Sequence, residues 1–138
     1  MRRCAGLLAM MLYLTLLLSA CGGRGQQTAS TNIDVQMTEF AFQPKQFTIP
    51  AGEEITLEAA NNGAIVHNFV IMNLGTQATL PFDEDDEANV YWKIDLNPGA
   101  STSTTFTAPS EPGEYQVVCS TPGHVEAGMI GKLTVVAS

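Results

Sequence analysis

Cys119-Ser120-Thr121-Pro122-Gly123-His124-Val125-Glu126-Ala127-Gly128-Met129 sets a thiol, an imidazole and a thioether at five-residue steps near the end of the chain. Thiolate and thioether sulfur favour copper in its lower oxidation state, and imidazole suits both states, so the mixture points to a copper ion that changes valence. A trigonal site needs a second imidazole, and the sequence holds one other histidine, His67. His67, Cys119, His124 and Met129 then form the two-His, one-Cys set with a long axial Met that suits electron transfer at a single type 1 copper. Copper requires Cys119 as thiolate and both imidazoles neutral. Pro122 and Gly123 make the intervening segment a stiff turn, so that the ligands need not move when the metal changes valence.

The residues on either side of this segment decide the fold. Tyr115-Gln116-Val117-Val118 reads as the strand that delivers the thiol, and Ile130 to Val136 as the closing strand. Further back, Ile33, Val35 and Met37 alternate with polar neighbours, as do Ile55, Leu57 and Ala59, the signature of half-buried strands. Phe40, Phe42, Phe47 and Ile49 add an apolar supply interrupted by Pro44, and Pro50-Ala51-Gly52 and Asn61-Asn62-Gly63 are turns. Ile65 to Met72 is a mostly apolar, strand-forming run with His67 near its start. A lone histidine there is more often a core residue than a ligand, but its complements elsewhere reverse that. Tyr91 to Leu96 and Ser101 to Thr107 read as further strands. No segment after residue 20 has a convincing helical period. The expectation is an all-β fold, an antiparallel Greek-key β-sandwich of seven to eight strands.

The first twenty of the 138 residues are not read as fold. Arg2 and Arg3, the apolar run Leu7 to Leu18 and the small residues before Cys21 describe a secretory signal. Leu18-Ser19-Ala20-Cys21 is similar to the bacterial lipobox, which implies cleavage before Cys21 and a lipid on its sulfur. An ordinary signal peptide or a single membrane anchor are the alternatives, though the run is short for a span of about 20 residues. Residues 21–31 read as a flexible tether and residues 32–138 as one domain. An extended leash of that length reaches ~35 Å from the membrane.

Without Arg2 and Arg3, four basic residues (Arg24, Lys45, Lys93, Lys132) face fourteen acidic ones, a formal charge of −10. That excludes nucleic acid as a partner, which needs a basic face, and favours a partner with a basic patch. Asp83-Glu84-Asp85-Asp86-Glu87 is expected in an exposed loop, since like charges repel and stay solvated. The run is either idle or a docking surface for that basic partner. After Cys4 leaves with the signal and Cys21 takes a lipid, Cys119 is a solitary thiol that a metal would protect.

His67-Asn68-Phe69, the stretch from Glu114 to His124, and Gly128 to Val135 resemble the cupredoxins, the plastocyanin and azurin family. The Cys-x4-His-x4-Met spacing with a membrane-attachment signal is most similar to the auracyanins. The resemblance covers about residues 32 to 138. It implies that His67 and His124 bind copper through imidazole nitrogen, Cys119 through thiolate and Met129 as the weak axial ligand. It also implies that Asn68 ties the ligand loops together and donates a backbone hydrogen bond to the thiolate. Plastocyanin-like patterns carry a proline two residues after the cysteine; here Thr121 stands there, and its N–H is expected to give the sulfur a second hydrogen bond.

The function expected is a membrane-tethered carrier of single electrons outside the cytoplasm, facing the periplasm or cell exterior. It would work between redox proteins such as a cytochrome c or a membrane electron-transfer complex. Electrons would leave through His124, whose neighbours Pro122, Gly123, Val125 and Ala127 suggest an apolar surface. A copper delivery or storage module is the alternative, favoured by Met-rich or His-rich tracts that this chain lacks. An enzyme is not expected, because catalytic copper needs more histidines or a pair of cysteines.

Overall fold

The computed structural model describes residues 28–138. The expected signal segment, Cys21 and the first part of the tether lie outside the described residues. Nine strands and one short helix follow in order: β1 (Asn32–Thr38), β2 (Ala41–Gln43), β3 (Gln46–Pro50), β4 (Glu54–Asn61), β5 (His67–Met72), α1 (Glu84–Glu87), β6 (Val90–Leu96), β7 (Ser101–Thr107), β8 (Gly113–Val118) and β9 (Ile130–Val136). They form a four-stranded sheet, β2-β1-β4-β7, packed on a five-stranded sheet, β3-β9-β8-β5-β6. Ser30 and Thr31 already belong to this body: the Ser30 N–H donates to Thr48 O, and Thr31 O accepts from the Thr56 N–H.

Alternation builds the core. Ile33, Val35 and Met37 of β1 and Ile55, Leu57 and Ala59 of β4 turn inward to meet Phe69, Ile71, Val117, Leu133 and Val135 of the other sheet. Phe69 stands at the centre, edge-on to both Phe42 and Phe47 with ring centroids 5.6 and 5.4 Å apart, an arrangement aromatic quadrupoles favour. The strand count exceeds seven or eight because Pro44 splits the second pass of the chain. β2 stays beside β1, whereas β3 crosses to the other sheet beside β9. With that single downward pass shared between sheets, β1 and β4 run the same way and pair in parallel, as do β3 and β9.

Every residue of β5 is buried, since this strand is covered on both faces. Its outer face, with Val70 and Met72, meets Ala78 and Phe82 of the segment between β5 and β6. That segment is where the expected solvated loop needs correcting. Residues 84 to 87 form a helical turn, closed by a capping box between Asp83 and Asp86. Asp86 is buried, and its carboxylate accepts from the Thr79 N–H, the Thr79 hydroxyl and the Asp83 N–H. Burial by itself would raise the Asp86 pKa, but these bonds to the ionised form hold it below the ordinary carboxylate value. Glu87 pairs with Lys93. Asp83, Glu84 and Asp85 remain exposed.

Two poles result. His67 begins β5 opposite Leu96, and the strand runs away from it for about 17 Å to Met72, at the height of the acidic segment. Cys119 follows β8 at the His67 end. The chain enters the sandwich at Ser30, beside β3 and toward the far end of the molecule, and it leaves near Ala51 at that same end.

Candidate metal centre

Two segments bring the candidate ligand side chains together. His67 is the first residue of β5, and Cys119 and His124 belong to the loop from β8 to β9. That loop closes on itself: the Cys119 N–H donates to Met129 O, and the Met129 N–H to His124 O, 2.9 Å away. Gly123 and Gly128 turn the backbone at φ 85° and 89°, in the left-handed region that glycine enters without steric cost. Ligand atoms of His67, Cys119 and His124 all lie within 4.8 Å of one another. Met129 is fully buried in the same core cluster as Cys119.

The geometry accommodates a metal ion. Both rings turn Nδ1 to Cys119 Sγ, at 3.8 Å for His67 and 3.3 Å for His124. With bonds of about 2.0 Å to nitrogen and about 2.3 Å to sulfur, donor atoms of a trigonal site stand roughly 3.7 Å apart. Burial lowers the pKa of both imidazoles below the ordinary value. For His67 the neighbouring His124 adds to this and Glu39 opposes it; for His124 the opposing groups are Glu39 and Glu126. Both rings are therefore neutral at pH 7, the form that offers a lone pair. Among the described residues His67 Nε2 is buried with no hydrogen-bond partner, so only its sulfur-facing Nδ1 has a polar neighbour.

Asn68 joins the two ligand segments. Its backbone N–H points at Cys119 Sγ, 3.5 Å away. Its side chain donates to Asp95 Oδ1 and Ser120 Oγ and accepts from the Ser120 N–H at 2.6 Å. Thr121 departs from expectation: among the described residues its N–H makes no bond to the sulfur. Its hydroxyl instead donates to Val66 O, fastening the ligand loop to the residue before His67. His124 also departs from expectation, being only 2% exposed, with its ring edge-on to Phe40 at 5.2 Å. The acidic run lies at the other pole.

Several contributors carried no chemical signal in the sequence. Asn61, fully buried, donates to Ile65 O and Leu96 O and accepts from the Gly63 N–H, which shapes the approach to His67. A Cβ on Gly63 would lie 2.5 Å from His67 Nε2, so only glycine lets this turn pass over the ring. The Asn-Asn-Gly stretch announced a turn, but not what the turn passes over. Glu39 had no signal beyond its place near a strand end, and Phe40 read only as part of the apolar supply.

Comparison with known proteins follows the same lines. A family model described as "Copper binding proteins, plastocyanin/azurin family" matches residues 29–136. Auracyanin-A of Chloroflexus aurantiacus is 30% identical, over 93% of this chain and 94% of that protein. Auracyanin-B of the same organism is 30% identical over 79% of this chain, and the chain spans only about half of its length, 54%. The structure of reduced auracyanin from Roseiflexus castenholzii superposes with a TM-score of 0.67 at 34% identity, covering 79% of this chain and 99% of that one. Match, fold and donor set agree that the chain belongs to the plastocyanin/azurin family of copper-binding proteins, the cupredoxins.

Proposed function

We propose that this protein carries single electrons outside the cytoplasm, tethered to a membrane through a lipid on Cys21, with His67, Cys119, His124 and Met129 as the ligands of one copper ion. The carrying observation is the convergence of two Nδ1 atoms on one buried sulfur. Copper bound there supplies a one-electron couple. The chain's part is to hold the donors still. His67 is fixed by β5, and the other three lie in one loop closed by backbone bonds between Cys119, His124 and Met129. The Asn68 N–H offsets charge on the thiolate, and a neutral pair of imidazoles completes the donor set. Four side chains saturate such a site, which favours a carrier over an enzyme.

The poles support an orientation. A leash ending at Ser30 joins the sandwich away from the ligands, so the metal end would face outward from the membrane. Phe40, Ile65 and Val66 are exposed beside the ligand loops and give a redox partner an apolar surface to approach. The carboxylates of Asp83, Glu84, Asp85 and Glu87 stand at the opposite end. A cytochrome c steered by them would be held about a strand length from His124, so we place docking at the metal end.

The test is stopped-flow reduction of a basic cytochrome c by the copper-loaded protein. Val66→Glu should slow it, whereas neutralising Asp83, Glu84, Asp85 and Glu87 should leave it within about two-fold. If neutralisation slows transfer and Val66→Glu does not, docking belongs to the acidic pole. Absence of any reversible one-electron wave in voltammetry would overturn the carrier itself.

A further inference from the structure

The corner between β1 and β2 contains two residues, Glu39 and Phe40, flanked by the pair Thr38 and Ala41. Two-residue hairpin corners need a left-handed residue and ordinarily use Gly or Asn for it. Here Phe40 occupies that conformation, at φ 63°, and among the described residues it is the one non-glycine to do so. A bulky side chain is disfavoured there, and core burial does not explain it, because Phe40 is 48% exposed. Its ring instead lies edge-on to the His124 ring, with centroids 5.2 Å apart at an interplanar angle of 73°. His124 lies in the ligand loop after exposed Pro122 and Gly123, yet it is only 2% exposed. Glu39 anchors the same corner on the other side, its Oε1 accepting from the Ala64 N–H at 2.5 Å, three residues before His67.

We propose that the Glu39–Phe40 corner is a lid over the metal centre, in which Phe40 shields His124 from water and fixes its ring while Glu39 straps the lid to the segment leading into His67. This rests on the ligand set proposed above. Phe40 is a positioning residue: it acts on the metal through His124. An apolar cover lowers the dielectric around the site and limits solvent access, which favours the less charged, reduced state and slows loss of the ion. The unfavourable backbone at Phe40 is then a cost borne for the site, as strained residues at functional sites commonly are.

Phe40→Asn separates the lid from the fold, because Asn suits the corner better than Phe and should not lower resistance to urea. In the copper-loaded protein the visible band should persist. Copper extraction by excess EDTA should quicken about two- to ten-fold, the loss of one aromatic pair expressed as a rate. The reduction potential should fall, and Phe40→Tyr should restore both quantities. Parental extraction rate and potential in Phe40→Asn would overturn the lid while leaving the ligand set standing. Failure of Phe40→Tyr to restore them would also overturn it. A parent protein that takes up no copper would overturn the ligand set, and the lid with it.

Discussion

Removing the Asn68 side chain tests whether the two ligand segments are held by that side chain or by the surrounding core. Asn68→Ala deletes three hydrogen bonds: to Asp95 Oδ1 at 3.1 Å, to Ser120 Oγ at 2.9 Å and from the Ser120 N–H at 2.6 Å. Each bond contributes about 1 kcal/mol net, and the partners are partly exposed, so water replaces some of the loss. The Ser120 N–H, a part-buried backbone donor, loses the partner that Asn68 Oδ1 gives it. The expected destabilisation is about 2–3 kcal/mol. Urea unfolding followed by far-ultraviolet circular dichroism measures it: with a slope of about 1–3 kcal/mol per molar, the midpoint should fall by roughly 1 M or more at constant slope. Because the Asn68 N–H that faces Cys119 Sγ belongs to the backbone, the variant should still bind copper, but with a broader and shifted visible band. A midpoint change worth less than about 0.5 kcal/mol, with an unaltered band, would show that the segments are positioned without Asn68.

Three further outcomes are expected. Met129→Gln should lower the reduction potential, because the harder amide oxygen favours Cu(II) whereas thioether favours Cu(I); an unchanged or raised value in voltammetry would remove Met129 from the ligand set. Gly63→Ala places a methyl group 2.5 Å from His67 Nε2, so the ring or the turn has to shift, at about 1–3 kcal/mol in urea melts and with weakened copper uptake; parental values for both would mean the turn yields freely. Asp86 has a folded pKa below its unfolded value of about 3.9, so it stabilises the fold fully above that pH and loses this as pH falls through the folded pKa. Asp86→Asn should therefore lower stability by about 1–3 kcal/mol at pH 7. The gap to the parent should narrow below pH ~4, and parallel pH profiles would contradict the assignment.

The sequence was most legible where chemistry is carried by rare residue types. Two histidines and one internal cysteine leave few ways to build a metal site, and the alternation in β1 and β4 shows which side chains face the core. The mostly apolar run from Ile65 to Met72 likewise signalled a strand, but that β5 is covered on both faces follows only from the fold. What could not be read depends on contacts distant in sequence. Pro44 marked an interruption, but that its two flanks join different sheets follows from which edges were free to pair. Five consecutive acids were read as solvated because repulsion is a local argument; Thr79, seven residues away, supplies the donors that let Asp86 be buried. Phe40 looked like one more core aromatic, and only the fold sets its ring against His124. Thr121 illustrates the converse: its free N–H was legible, yet the loop directs the hydroxyl to Val66 O and leaves the sulfur to Asn68.

The most direct test of the central claim is the visible spectrum of the oxidised, copper-loaded protein beside that of Cys119→Ser. Thiolate bound to Cu(II) between two imidazoles gives an intense charge-transfer band, so the parent should be blue or green and bleach on reduction with one electron per chain. Cys119→Ser should bind copper more weakly and remain nearly colourless. An intense band that survives Cys119→Ser, or a parent that binds copper without one, would contradict the account.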